Sequence, residues 1–265
     1  MFYQNSNYIR IQVSAIPVVF LHAFPLNSEM WDPQIRFLKK RRFFTITLDY
    51  PGFGKSSPFQ NPPAIDDYAE LIYRIVRESG VKQIIAVGLS MGGYVALAMY
   101  RKYPRLFKGL VLANTRAAAD TAEGKQRRIN AINRILETRS IADLIKLHQD
   151  NFFSQHTRQN FPQILKKVER MMQEASLHGV IHALRAMAYR PDSSDLLSSM
   201  DFPVMVVAGK EDKFIPLTEA KKMAAQLPEG ELHVLENAGH LSNLEAEAEF
   251  NRLLLDYLKR LWDID

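Results

Sequence analysis

The chain has 265 residues, of which 47% are hydrophobic and 24% charged, and it contains no cysteine. That composition fits one large folded α/β domain with room for an inserted subdomain. It excludes disorder, disulfide frameworks, thiol catalysis and cysteine-ligated metals. The net charge of +5 is mild, and the basic residues are dispersed apart from Lys39-Lys40-Arg41-Arg42, which reads as a solvated helix end, so no nucleic-acid partner is expected. Met1 to Ser14 is polar, without an apolar signal core, and no run of 18 apolar residues exists. No membrane span is expected, and a cytoplasmic protein is.

In chain order, Val18 to Leu21 reads as a buried strand ending at His22, and Phe43 to Leu48 as another ending at Asp49. The stretch Ser56 to Pro63, with three prolines, reads as a surface loop. Leu71, Ile72, Ile75 and Val76 recur at helical spacing and predict a helix over Asp66 to Gly80. A strand at Ile84 to Val87 is followed by a helix over Met91 to Tyr103 and a strand at Leu110 to Ala113. From Thr115 to Ser199 the pattern is helical and highly charged. Strand Val204 to Ala208, helix Thr218 to Leu227, strand Leu232 to Leu235 and helix Ala246 to Trp262 complete the chain. Alternating strands and helices imply a mostly parallel sheet with helices on both faces. Residues 1–114 and 200–265 form its core, and 115–199 a helical insertion.

Gly88-Leu89-Ser90-Met91-Gly92 matches G-x-S-x-G between a buried strand and a helix, the setting of a nucleophile elbow. Glycines two residues either side of the serine relieve crowding in so tight a turn, and Gly93 permits a close helix–sheet approach. A serine needs a base. Of seven histidines, His148, His156, His178 and His182 fall in the insertion, and His233 lies in a strand. His22 belongs to another motif. His240 follows the last strand, on the sheet edge that carries Ser90, and is the candidate base. Asp212 follows strand Val204 to Ala208 on the same edge and is the candidate acid, with adjacent Glu211 as the alternative. Asp201 sits at the wrong end of that strand. The order Ser, Asp, His is that of the α/β hydrolases. An oxyanion hole needs two N–H donors, and Met91 and Phe24 are the candidates, since Pro25 has none. His22 is expected to shape this loop.

His22-Ala23-Phe24-Pro25, Asp49-Tyr50-Pro51-Gly52-Phe53-Gly54-Lys55-Ser56 and the serine motif resemble the α/β-hydrolase superfamily. So do Gly209-Lys210-Glu211-Asp212 and Asn237-Ala238-Gly239-His240. The resemblance implies the α/β-hydrolase fold, a sheet of about eight strands and a helical cap over 115–199. The family usually has glycine where Ala23 stands. A positive φ there would cost alanine on the order of 1 kcal/mol. Serine as nucleophile argues against the haloalkane dehalogenase and epoxide hydrolase branches, which use aspartate.

The chemistry expected is two-step acyl transfer on a small carboxylic ester, needing no metal or organic cofactor. Leu26, Phe152, Met187, Ile215 and Leu241 are expected to bind substrate. The wider apolar stripe of Phe153, Met171, Met172 and Tyr189 reads first as cap packing. Asn114-Thr115-Arg116 and the start of the cap resemble 3-oxoadipate enol-lactonases and small bacterial esterases. The cap also carries Arg127, Arg128, Arg134, Arg139, Lys166, Lys167 and Arg170. In related esterases acting on carrier-linked methyl esters a basic cap meets the acidic acyl carrier protein, and a solvated helix face explains these charges equally well. Two readings from other classes remain. Gly54-Lys55-Ser56 imitates the end of a P-loop, but Asp49 stands where that motif needs glycine. A non-catalytic binding protein on the hydrolase fold would be separated by turnover of a generic ester.

Overall fold

The computed structural model describes residues 3–5 and 16–262. Apart from residues 3–5, the polar N-terminal stretch 1–14 lies outside them. Seven strands form one sheet in the order β1-β3-β2-β4-β5-β6-β7, where β1 is Tyr3–Asn5, β2 Val18–Leu21, β3 Thr45–Leu48, β4 Ile84–Leu89, β5 Phe107–Ala113, β6 Val204–Gly209 and β7 Gly230–Leu235. β1 pairs antiparallel with β3, and the other pairs are parallel. The fold is that of the α/β hydrolases. The sheet has seven strands among the described residues rather than about eight.

β2, β3, β4 and β6 are buried along their whole length. This is why they read as continuous apolar runs rather than alternating ones. One face carries α2 (Ile65–Glu78), α3 (Met91–Lys102) and α9 (Leu217–Gln226). The other carries α1 (Asp32–Lys39) and α11 (Glu247–Leu261). α1, which no periodic apolar run announces, begins with Pro33 just inside its start and is anchored by buried Leu38. Lys39 to Arg42 is exposed at its end, and the Arg41 guanidinium lies 3.6 Å from the Phe37 ring centre.

Between β5 and β6 there is no strand. The interval holds α4 (Ala122–Thr138), α5 (Ala142–Phe152), α6 (Gln155–Asn160), α7 (Pro162–Gln173) and α8 (Leu177–Ala188), then a short 3-10 turn over Ser194–Ser199. The loop after β3 ties this cap to the sheet. Gly52 has φ 92°, and a Cβ built on it would sit 2.3 Å from the Gly179 Cα. The Gly52 carbonyl also accepts from the Ser176 N–H at 2.8 Å. Two glycines therefore let two backbones touch where α8 begins. Asp49 accepts from the Ser28 and Lys55 N–H groups at 2.8 and 3.1 Å. The residues that imitate a P-loop thus work as a structural clamp. No helix among the described residues is long and apolar enough to cross a membrane.

Candidate active site

Six parallel strands end on one edge, and each is followed by a polar residue: His22, Asp49, Ser90, Asn114, Asp212 and His240 in the loops after β2, β3, β4, β5, β6 and β7. Leu89 pairs with Ala113, so Ser90 and Asn114 leave the sheet side by side. Ser90 has φ 56° and ψ −115°, a conformation that costs a non-glycine residue on the order of 1–3 kcal/mol. Its N–H donates to the Ala113 carbonyl at 3.0 Å, and its own carbonyl accepts from the Thr115 hydroxyl at 2.8 Å. A Cβ on Gly92 would lie 2.1 Å from the Leu21 carbonyl oxygen, so only glycine lets α3 start this close to the sheet.

The Asp212 carboxylate lies 2.8 Å (Oδ2) and 3.0 Å (Oδ1) from His240 Nδ1. It also accepts from Asn114 Nδ2 at 2.9 Å and from the Phe214 and Ile215 N–H groups at 2.8 and 3.0 Å. Burial by itself would raise this carboxyl. The facing His240 and the hydrogen bonds from His240, Asn114 and Ile215 outweigh it and hold the group below its ordinary value. An ionised Asp212 can only accept, so Nδ1 carries the imidazole proton and Nε2 is left as the acceptor. Glu211, the alternative acid, points elsewhere and accepts from the Gln155 N–H at 2.9 Å. Asp201 is exposed ahead of β6.

Two supports of the His240 loop, Glu245 and Asn114, were not among the site residues expected from sequence. Glu245 is buried in α10 (Ser242–Glu245), and its carboxylate accepts from the Gly239, Leu241 and Ser154 N–H groups at 3.0, 3.1 and 2.7 Å. Burial raises its carboxyl despite those amides. Asn114 bridges Asp212 to the Gly239 carbonyl and accepts from the Ser242 hydroxyl. The cap reaches the same loop. The Phe152 carbonyl takes the His240 N–H at 2.7 Å, and its ring stacks on the imidazole with centroids 5.4 Å apart.

His22 shapes the loop after β2. The Tyr50 N–H donates to Nε2 at 2.9 Å, so Nδ1 is protonated and donates to the Ala23 carbonyl at 2.9 Å. Burial drives the His22 pKa down to about 4, against the raising effects of that hydrogen bond and of Asp49. Ala23 does not have a positive φ, so alanine carries no strain there. The Phe24 N–H finds no acceptor among the described residues. Met91, as the first residue of α3, has an amide without an intrahelical partner.

Ser90 and His240 line one cavity of about 650 Å³ between sheet edge and cap. Phe24, Phe152, Met187 and Ile215 line it too. Leu26 and Leu241 do not. Both are fully buried with Trp31 and Phe250 in the core beneath the loops, because each loop turns its apolar residue inward to cover the sheet. Phe153, Met171 and Met172 also pack in that core, and Tyr189 is exposed with Lys125 Nζ 3.9 Å from its ring centre. His148, Tyr94, Arg116 and Asp120 enter the lining without having been singled out as site residues. The His148 Nδ1 donates to the Leu144 carbonyl at 2.8 Å, and burial lowers its pKa to about 4. The basic cap residues separate. Arg127, Arg128 and Arg134 line the cavity, whereas Lys167 pairs with Asp32, and Arg170 with Glu29 and Glu174.

Residues 16–247 match the family model described as alpha/beta hydrolase fold. The chain belongs to the α/β-hydrolase family. Within that family, this hydrolase is 28% identical over 218 residues to a 2-hydroxy-6-oxononadienedioate/2-hydroxy-6-oxononatrienedioate hydrolase from a Pseudomonas species, covering 81% of this chain and 77% of the relative. It is 25% identical to 3-oxoadipate enol-lactonase 1 of Acinetobacter baylyi, covering 94% and 90% of the two chains. Among solved structures, a thermophilic esterase from Thermogutta terrifontis, determined with malate bound, superposes with TM-score 0.92 at 30% identity, covering 98% of this chain and 93% of that one. These relatives are hydrolases, and hydrolysis is the chemistry they support for this α/β hydrolase.

Proposed function

We propose that the protein is a serine esterase acting on small or medium carboxylic esters through an acyl-enzyme. The observation that carries this is the Asp212–His240 pair, which fixes the imidazole tautomer, in a cavity shared with a strained Ser90. Ser90 Oγ attacks the ester carbonyl carbon while His240 Nε2 takes its proton. The tetrahedral oxyanion accepts from the Phe24 and Met91 N–H groups. It collapses by expelling the alkoxide, which receives the proton from the imidazolium and leaves as the alcohol. Water, deprotonated by His240, then attacks the acyl-enzyme and releases the carboxylic acid and Ser90. Phe24, Phe152, Met187 and Ile215 supply the apolar wall for the substrate. An enol-lactone would follow the same steps with the alcohol and acid in one product, and the Acinetobacter enol-lactonase is a relative of nearly full coverage.

The test is hydrolysis of p-nitrophenyl acetate, butyrate and octanoate by wild type and Ser90→Ala. The expected result is turnover by wild type alone, with a chain-length optimum that sizes the cavity. Equal rates in the two proteins would overturn the assignment of Ser90. No turnover by folded wild type would favour a non-catalytic binder.

A further inference from the structure

The cavity that holds Ser90 is far more basic than the molecule around it. Its lining contains Arg116, Arg127, Arg128, Arg134 and Lys213 against only Asp120 and Asp143. One of the two acids is spoken for at the rim, where Arg134 Nε meets Asp143 at 2.8 Å. The other is the centre of a buried cluster. Asp120 accepts from Arg116 Nη2 at 2.8 Å and Arg190 Nη1 at 2.7 Å on one oxygen, and from Arg128 Nε at 2.6 Å on the other. Its side chain is 1% exposed.

Three guanidinium groups share this one carboxylate as their salt-bridge partner among the described residues, with Glu219 and Asp192 acting on Arg116 and Arg190 only from further off, and such an excess of positive charge in a partly desolvated wall is costly. Arg190 is absorbed by the fold, donating also to the Ala118 and Met187 carbonyls and lying 3.9 Å from the Tyr94 ring centre. Arg116 and Arg128 are not. Both reach the cavity, the buried Arg116 Nε has no hydrogen-bond partner, and Arg128 makes no hydrogen bond beyond the one to Asp120. Arg127 and Lys213, on the same lining, form no salt bridge among the described residues.

Resting on the esterase reading of Ser90, we infer that the natural substrate is an ester bearing a carboxylate, such as a half-ester of a dicarboxylic acid. Arg116 and Arg128 receive that carboxylate, while the apolar wall of Phe24, Phe152 and Ile215 holds the methylene chain. The planar fork of a guanidinium matches a carboxylate in geometry as well as charge. Burial against the apolar wall strengthens the attraction relative to water. This gives the inward-facing cap arginines an occupant of small-molecule size.

The experiment compares mono-p-nitrophenyl adipate with p-nitrophenyl hexanoate, which share chain length and leaving group and differ in one terminal carboxylate. The expected kcat/KM ratio favours the adipate by roughly tenfold or more in wild type. In Arg128→Gln and in Arg116→Gln it falls toward one, and the ratio is insensitive to the fraction of folded enzyme in each preparation. Independently, free adipate should raise the melting temperature of Ser90→Ala at concentrations where hexanediol does not. A wild-type ratio at or below one, with ester turnover intact, overturns the carboxylate site and leaves the esterase reading standing. Adipate protection of Ser90→Ala without wild-type turnover of either ester supports the carboxylate site and sinks the esterase reading.

Discussion

The two walls of the cavity reach their polarity by different means. On the sheet wall the candidate groups Ser90, Asp212 and His240 sit one, three and five residues beyond a strand and are held largely by backbone. Ser90 is locked by the Ala113 carbonyl and the elbow glycines, Asp212 by two amides, and the His240 loop by its Gly239 and Leu241 amides on Glu245. On the cap wall the groups are long side chains, Arg128 on α4 and Arg116 and Arg190 on the segments flanking the cap helices, organised around one carboxylate, Asp120. Backbone hydrogen bonds position an atom tightly and carry little net charge. A guanidinium cluster does the reverse. On the proposed reading, the sheet supplies the position of the reacting groups and the cap the charge that selects the substrate.

The comparison breaks most visibly at Asp212. Asp212→Asn keeps the shape of the sheet wall but offers His240 a donor, favouring the wrong tautomer. Ester kcat should fall by about 10⁴-fold with KM and melting temperature little changed. A loss below tenfold would show that the tautomer is set elsewhere.

On the cap wall the sensitive residue is again an aspartate, but the damage should appear in folding. Asp120→Asn leaves Arg116, Arg128 and Arg190 facing one another, and removing one partner of a buried ionic cluster costs about 3–5 kcal/mol. Urea unfolding should show that loss. An unchanged midpoint would mean that water already neutralises the arginines.

Smaller effects separate lining from core. Leu26→Ala should destabilise by about 3 kcal/mol without changing ester chain-length preference, because Leu26 is fully buried beneath the loop. Met187→Ala, on the cavity, should shift the preferred acyl group to a longer chain. If Leu26→Ala alone shifts the preference, Leu26 reaches the substrate after all.

The smallest effect is a slope. His22 and His148 have folded-state pKa values lowered to about 4 from 6.5. Between those values the unfolded chain binds protons that the folded chain does not, so stability is full above pH 6.5 and is lost as pH falls toward 4. Asp120, lowered to about 2 despite burial by Arg128 and Arg190, extends the loss from the ordinary carboxylate range down to about pH 2. Thermal unfolding against pH should show the upper slope reduced in His148→Gln. An identical slope would assign the protons to other groups.

Sequence order and spacing were enough to place the candidate residues of the sheet edge. Buried strands of a parallel sheet must be continuous apolar runs, and the residue after each run must emerge on one edge. Ser90, Asp212 and His240 could therefore be placed together from order and spacing. The same logic located the interrupting helices between Ala113 and Val204. It put Asp212 first but left adjacent Glu211 as an alternative, because adjacent residues in a loop point different ways only once the loop's amides are assigned. Nor could it tell that Leu26 and Leu241 turn into the core while His148 turns into the cavity. Tertiary structure alone decided that three arginines spread over 75 residues converge on Asp120, and that Glu245 holds the His240 loop. Helical periodicity says which residues share a face, but a charge carries no sequence signal for the partner it meets across a packing interface. For Asp120 the partners are fixed when the segments of the 115–199 insertion pack on one another, and for Glu245 when the cap brings the Ser154 N–H to it.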